Sequence, residues 1–110
     1  MSTNVSMSAL EWAFKTGNAP TIKELINGQY AKPNETNKQG QNGLHLAVKY
    51  AKNLSTDDFG EIVYLLNEYK VDTKHIDCYG STPLQQAMIY LKDQPLIVGL
   101  IATGGVRPTN

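Results

Sequence analysis

Asp77-Cys78-Tyr79-Gly80-Ser81-Thr82-Pro83-Leu84-Gln85-Gln86-Ala87 is a turn running into a helix. Gly80 permits a positive φ, Thr82 has a hydroxyl to cap free helix-end amides, and Pro83 suits the first helical position. Leu84, Ala87, Met88 and Leu91 then recur at helical spacing and predict one apolar stripe. A fainter copy stands upstream as Asn37-Lys38-Gln39-Gly40-Gln41-Asn42-Gly43-Leu44-His45-Leu46-Ala47, in which Gly40 and Leu44 precede Gly80 and Leu84 by forty positions. Self-similarity at that period predicts stacked helical units, none of which buries its apolar face alone.

The whole chain has 110 residues, room for one small domain with a modest core. Its ten basic and ten acidic residues balance, so no electrostatic footprint for nucleic acid or an anionic membrane is present. The uncharged run from Pro95 to Val106 is too short to span a bilayer. The opening Met1-Ser2-Thr3-Asn4-Val5-Ser6 lacks the basic start and apolar block of a secretion signal. The single cysteine, Cys78, excludes an internal disulfide framework and suits a reducing compartment. These features predict a cytoplasmic domain that binds neither nucleic acid nor membrane.

Outward from the repeat, residues 1–7 are polar and predicted to be loose. Ser8-Ala9-Leu10-Glu11 reads as a capping box, followed by an apolar face of Leu10, Ala13 and Phe14 and a stop at Gly17-Asn18. Pro20 opens a second helix with Ile22, Leu25 and Ile26 on one side. Residues from Gln29 to Gln41 form a loop or hairpin, then a helix from Asn42 to Ala51 turns Leu44, Ala47 and Val48 inward. Asn53 to Asp58 is predicted as an extended inter-helix loop, with Ser55 and Asp58 at capping spacing ahead of Ile62, Val63, Leu65, Leu66 and Tyr69. Lys70 to Cys78 is the next hairpin. A helix from Thr82 to Leu91 and another opening at Pro95, capped by Asp93 or Gln94, complete the pattern. In the last helix Leu96, Ile97, Leu100 and Ile101 face the stack, and Val98, Gly99 and Ala102 face away.

These units resemble the ankyrin repeat, whose first helix opens D-x-x-G-x-T-P-L-H-x-A. Asp77 to Ala87 carries most of that motif, and Leu10-Glu11-Trp12-Ala13 fills the slot of Leu44-His45-Leu46-Ala47. Thr103-Gly104-Gly105-Val106-Arg107-Pro108 looks like the Gly-Ala-x-x-Pro ending of such a repeat. The resemblance implies an all-α helical solenoid over one domain, residues 1–110. Its cap unit covers about 8–34, a second unit about 35–74 with an inserted loop at 51–60, and a third about 75–110. Three departures stand out. Asn42-Gly43 replaces Thr-Pro, predicting a less firm helix start, since Gly costs about 1 kcal/mol of helix propensity. Gln85 replaces the usual histidine. Leu96 to Val106 carries no charge where a polar cap is expected, which predicts a covered C-terminal face, as in a homodimer or against a bound partner.

His75, Asp77 and Cys78 invite a thiol-nucleophile reading, as in a small hydrolase, but they fall in a hairpin with no oriented third group implied. At His45 the resemblance implies a ring bonded to the backbone of the adjoining hairpin. Zinc-ligand spacing is absent, Asp57-Asp58 suits a helix start rather than a cation loop, and Gly104-Gly105 lacks the helix and lysine of a phosphate cradle. Trp12 and Phe14 are expected to pack the cap. The chain is thus expected to hold no catalytic residue, metal or cofactor. What the resemblance implies instead is protein binding through hairpin tips and the exposed side of each unit's first helix. Carried over by position, the surface is Lys38, Gln39, Gln41, Lys49 and Tyr50 in the second unit, and Cys78, Tyr79, Ser81, Ile89 and Tyr90 in the third. The implied function is a non-catalytic interaction module. Its alternatives are an inhibitor or immunity-type protein that neutralises one enzyme, and a homo-oligomer joined through Leu96–Val106.

Overall fold

The computed structural model describes residues 5–106, with side chains from Met7 onward. Arg107 and Pro108, which complete the expected closing motif, lie outside the described residues. The helical periodicities become α1 (Val5–Lys15), α2 (Ala19–Asn27), α3 (Gly43–Lys49), α4 (Thr56–Glu68), α5 (Pro83–Tyr90) and α6 (Pro95–Thr103), with a 3-10 turn at Ala51–Asn53. No strand occurs among the described residues. Helices pack in pairs, α1 on α2, α3 on α4 and α5 on α6. Across pairs α1, α3 and α5 form an inner layer, and α2, α4 and α6 an outer one. The fold is an all-helical solenoid.

Local chemistry sets the helix starts. Asn18, Ser55 and Thr82 each accept a hydrogen bond from the amide three residues on, at Thr21, Asp58 and Gln85. At α3 a capping box closes the start that Asn42-Gly43 leaves without Thr-Pro. The Asn42 side chain accepts from the amides of Leu44 and His45, and His45 Nδ1 accepts from the Asn42 amide at 3.3 Å. Gly43 itself is needed for close approach: its amide donates to the Pro33 carbonyl at 2.7 Å, and a Cβ there would stand 2.9 Å from Pro33 Cβ.

Four expectations are corrected. Ser8 does not cap α1, because the helix already runs through Val5–Lys15; the earlier turn buries Met7 completely, one turn from Leu10. The stretch at 51–60 is no extended loop. Only Leu54 and Ser55 separate the 3-10 turn from α4, since the Ser55 cap and the Asp57 and Asp58 carboxylates in the first turn start the helix early and bury Phe59. Trp12 is 63% exposed, being off the Leu10, Ala13 and Phe14 stripe. Met88 and Leu96 are exposed as well, while Val98 packs against the core. Met88 stands forty residues after Val48, which is buried in the middle of the stack; no further unit covers Met88 among the described residues. The continuous core joins Phe14, Ile22, Ile26, Leu46, Phe59, Ile62 and Leu66.

Candidate functional site: the turn tips and the concave hollow

The two turns at forty-residue spacing are built bond for bond alike. Asn37 Oδ1 accepts from the amides of Gln39 and Gln41 at 2.9 and 3.0 Å; Asp77 Oδ1 accepts from those of Tyr79 and Ser81 at 2.9 and 3.0 Å. In each the first residue's amide reaches the fifth residue's carbonyl, and the glycine amide returns to the first carbonyl. Gly40 and Gly80 supply the required positive φ, +72° and +80°. Helix side chains lock the turns from different sides, Gln86 of the following α5 at Asp77 and Glu11 of the preceding α1 at Asn37. Asp77 Oδ2 accepts from the buried Gln86 amide, and Asn37 Nδ2 bridges Gln41 and Glu11.

Three bonds tie one turn to the next. The Cys78 amide donates to the Gln39 carbonyl, His75 Nε2 donates to the Gly40 carbonyl at 3.0 Å, and His45 Nε2 reaches the Ser81 carbonyl at 2.9 Å. Burial disfavours the charged His45 ring more strongly than the Ser81 carbonyl and the Asp77 carboxylate favour it, so its pKa lies below the ordinary value. Neutral, with Nδ1 accepting from Asn42, the ring carries its proton on Nε2 and donates to Ser81. Burial alone would raise the Asp77 pKa, but the Ser81 and Tyr79 amides hold its carboxyl below the ordinary range. His75 and Asp77 are therefore engaged with backbone, and Cys78 stands exposed beside them without a base to activate it.

Between the tips and the inner helices lies an open hollow of about 700 Å³. Gln39, Gln41 and Tyr79 reach it from the turns, Lys49, Tyr50, Lys52 and Asn53 from the end of α3 and the 3-10 turn after it, and Gln86, Tyr90 and Leu91 from α5 and its C-terminal edge. One wall is organised by Glu11 of α1, which accepts from Tyr50 at 3.0 Å, from Lys49 at 3.2 Å and from Asn37 at 3.2 Å. Burial pushes the Glu11 pKa up, yet these donors together hold it below the usual carboxylate value; burial and the bond to Glu11 raise the Tyr50 phenol.

Of the ten residues picked out in the sequence, Gln39, Gln41, Lys49, Tyr50, Tyr79 and Tyr90 come together around this hollow. Ser81 and Ile89 fall instead on a shallower depression of about 300 Å³ with Gln85 and Met88. Lys38 and Cys78 stand exposed at the tips, lining neither. Gln41 is only 4% exposed, because Asn37 claims both its amide and its side-chain oxygen. Sequence reasoning missed Glu11 and Gln86. Gln86 left a signal, a polar residue forty positions after the fully buried Leu46. Among the described residues no group of three or more His, Cys, Asp or Glu could hold a metal ion. No helix there is long and apolar enough to cross a membrane.

A family model described as ankyrin repeats, in three copies, matches residues 10–109. The chain belongs to the ankyrin-repeat family. No curated protein and no solved structure matches it. Ankyrin repeats generally mediate protein–protein interaction, and the family is typically non-catalytic. Within this ankyrin domain Gln85 takes over half of the work of His45, its Oε1 accepting from the Thr82 amide at 2.8 Å. The other half, a ring bonded to the next turn, is not made there.

Proposed function

We propose that this ankyrin domain is a cytoplasmic, non-catalytic docking module that receives a protein partner on its turn tips and concave inner face. One observation carries the reading: Tyr50, Tyr79 and Tyr90 surround a single hollow whose backbone walls are held by the paired turns. Tyrosine supplies broad contact area with a polar tip and loses little freedom on docking. Because the turns are locked before contact, association orders few groups. A single-target inhibitor would use the same surface and differ only in recovering one enzyme at fixed stoichiometry.

Affinity capture from the native cell, followed by mass spectrometry, tests this. The Tyr79→Ala, Tyr90→Ala double variant should lose the captured protein while remaining folded, both rings being more than two-thirds exposed. Equal capture by the variant would sink the assignment.

A second reading is favoured by the other end of the array. Met88, Ile89, Leu96 and Val106 are exposed there, and α6 carries no charge. Such a face suits self-association, because a twofold interface sets a patch against its own copy. Light scattering at rising concentration should then show a dimer, and Leu96→Glu should return it to monomer. A monomer throughout removes this reading.

A further inference from the structure

The charges of this chain cancel overall, yet its two layers divide them. The inner helices and the 3-10 turn carry Lys15, Lys49 and Lys52 against one acid, Glu11. The outer helices carry Glu24, Asp57, Asp58, Glu61 and Glu68 against one base, Lys23. Lys15, Lys49 and Lys52 all stand in last turns, where a helix dipole welcomes a cation, but α2, α4 and α6 have no base in that place. The dipole accounts for lysines at helix ends and leaves the shortage of acids on the inner face unexplained.

Both acids near the hollow are already spoken for. Glu11 is held by Lys49, Tyr50 and Asn37, and Asp77 is turned inward, 5% exposed, onto Tyr79, Ser81 and Gln86. Two cations remain. Lys52 lines the hollow and Lys38 stands on the adjoining tip, both exposed, and neither enters an ion pair among the described residues.

We infer that the hollow takes an acidic, extended segment of a partner protein. Its carboxylates meet Lys52 and Lys38 and the hydroxyls of Tyr79 and Tyr90, while its main chain meets the side-chain amides of Gln39 and Asn53. This rests on the docking-module reading and adds the partner's chemistry to it. The outer layer, five acids to one base, repels the same segment, so encounter is steered to the inner side. A phosphate polymer fits less well, since such ligands draw their affinity from roughly six to ten neutralised phosphates, whereas the hollow has Lys52 and its adjoining tip adds Lys38.

Selection from a displayed library of random short peptides tests the inference. The wild-type domain should enrich sequences rich in Asp and Glu, whose binding weakens with salt and falls about tenfold on the Lys38→Gln, Lys52→Gln double variant. Both lysines are exposed, so the variant should keep its wild-type circular dichroism. Acid-poor winners, acid-rich winners indifferent to the double variant, or no enrichment at all would each overturn the inference. So would displacement of the winners by single-stranded DNA at lower concentration than by free peptide. The underlying reading fails separately: acid-poor winners that need Tyr79 and Tyr90 leave the docking face standing, whereas winners that bind Tyr79→Ala, Tyr90→Ala unchanged remove the face itself.

Discussion

His45 shows how much one buried side chain does when both ring nitrogens are used. Nδ1 closes the start of α3 and Nε2 holds the next turn, with the ring fully buried. His45→Ala loses the cap and strands the Ser81 carbonyl, at an expected cost of about 2–3 kcal/mol in urea unfolding. His45→Gln keeps the capping half, as Gln85 does at Thr82, and should cost less. The pH dependence follows from the same burial. Because the folded ring resists protonation, the unfolded chain binds more protons once pH drops below the ordinary histidine value of 6.5. The contribution is therefore complete above that pH and is lost as pH falls toward the lower folded value. Asp77, lowered from 3.8, adds a second loss at more acid pH, when its carboxyl protonates in the unfolded chain first. Melting temperatures between pH 7.5 and 5 should fall for the wild type and flatten in His45→Gln. Asp77→Asn, which copies Asn37, should cost about 1 kcal/mol or less, and Asp77→Ala about 2–3 kcal/mol.

At the scale of elements, the end of α6 is fastened rather than merely stopped. Gly105 has φ +87°, and a Cβ on it would lie 2.3 Å from the Tyr64 amide nitrogen and 2.5 Å from the Gly60 carbonyl. The next amide, Val106, donates to that carbonyl at 2.9 Å. Gly105→Ala must therefore push α6 off α4. The left-handed backbone alone accounts for about 1–3 kcal/mol, and hydrogen exchange should show protection lost in α6 before α4. Elements were also where the sequence was most and least legible. Ser55, Thr82, Pro20 and Pro95 announced helix starts because a cap or a proline acts within one turn. Ser8 misled because its capping spacing is local, whereas the burial of Met7 against a neighbouring helix is not. Phe59 went unplaced for the same reason, its stretch looking like a loop until the early start of α4 carries it inward. Six of the ten surface candidates share the hollow because the repeat period carries position from unit to unit. Glu11 could not be found so, since its partners lie 26 to 39 residues away.

For the whole molecule, the main helix contacts among the described residues run within units and between adjoining ones, so stability should be graded along the stack. Phe59 is fully buried in the middle unit and belongs to the continuous core. Phe59→Ala should cost about 3–5 kcal/mol and lower the single unfolding transition of the entire domain. Leu100, at the 9% exposed edge of α6, should behave differently. Leu100→Ala is expected to open α5 and α6 first, visible as exchange confined to those helices while α1 to α4 stay protected.

The bonds that couple neighbouring turns end on main-chain carbonyls, those of Gln39, Gly40 and Ser81. Coupling of this kind does not ask which side chain the neighbour carries. A gene that duplicated the block from Asn37 through Ile76 would find every acceptor waiting at both seams, so lengthening such an array demands copying rather than invention.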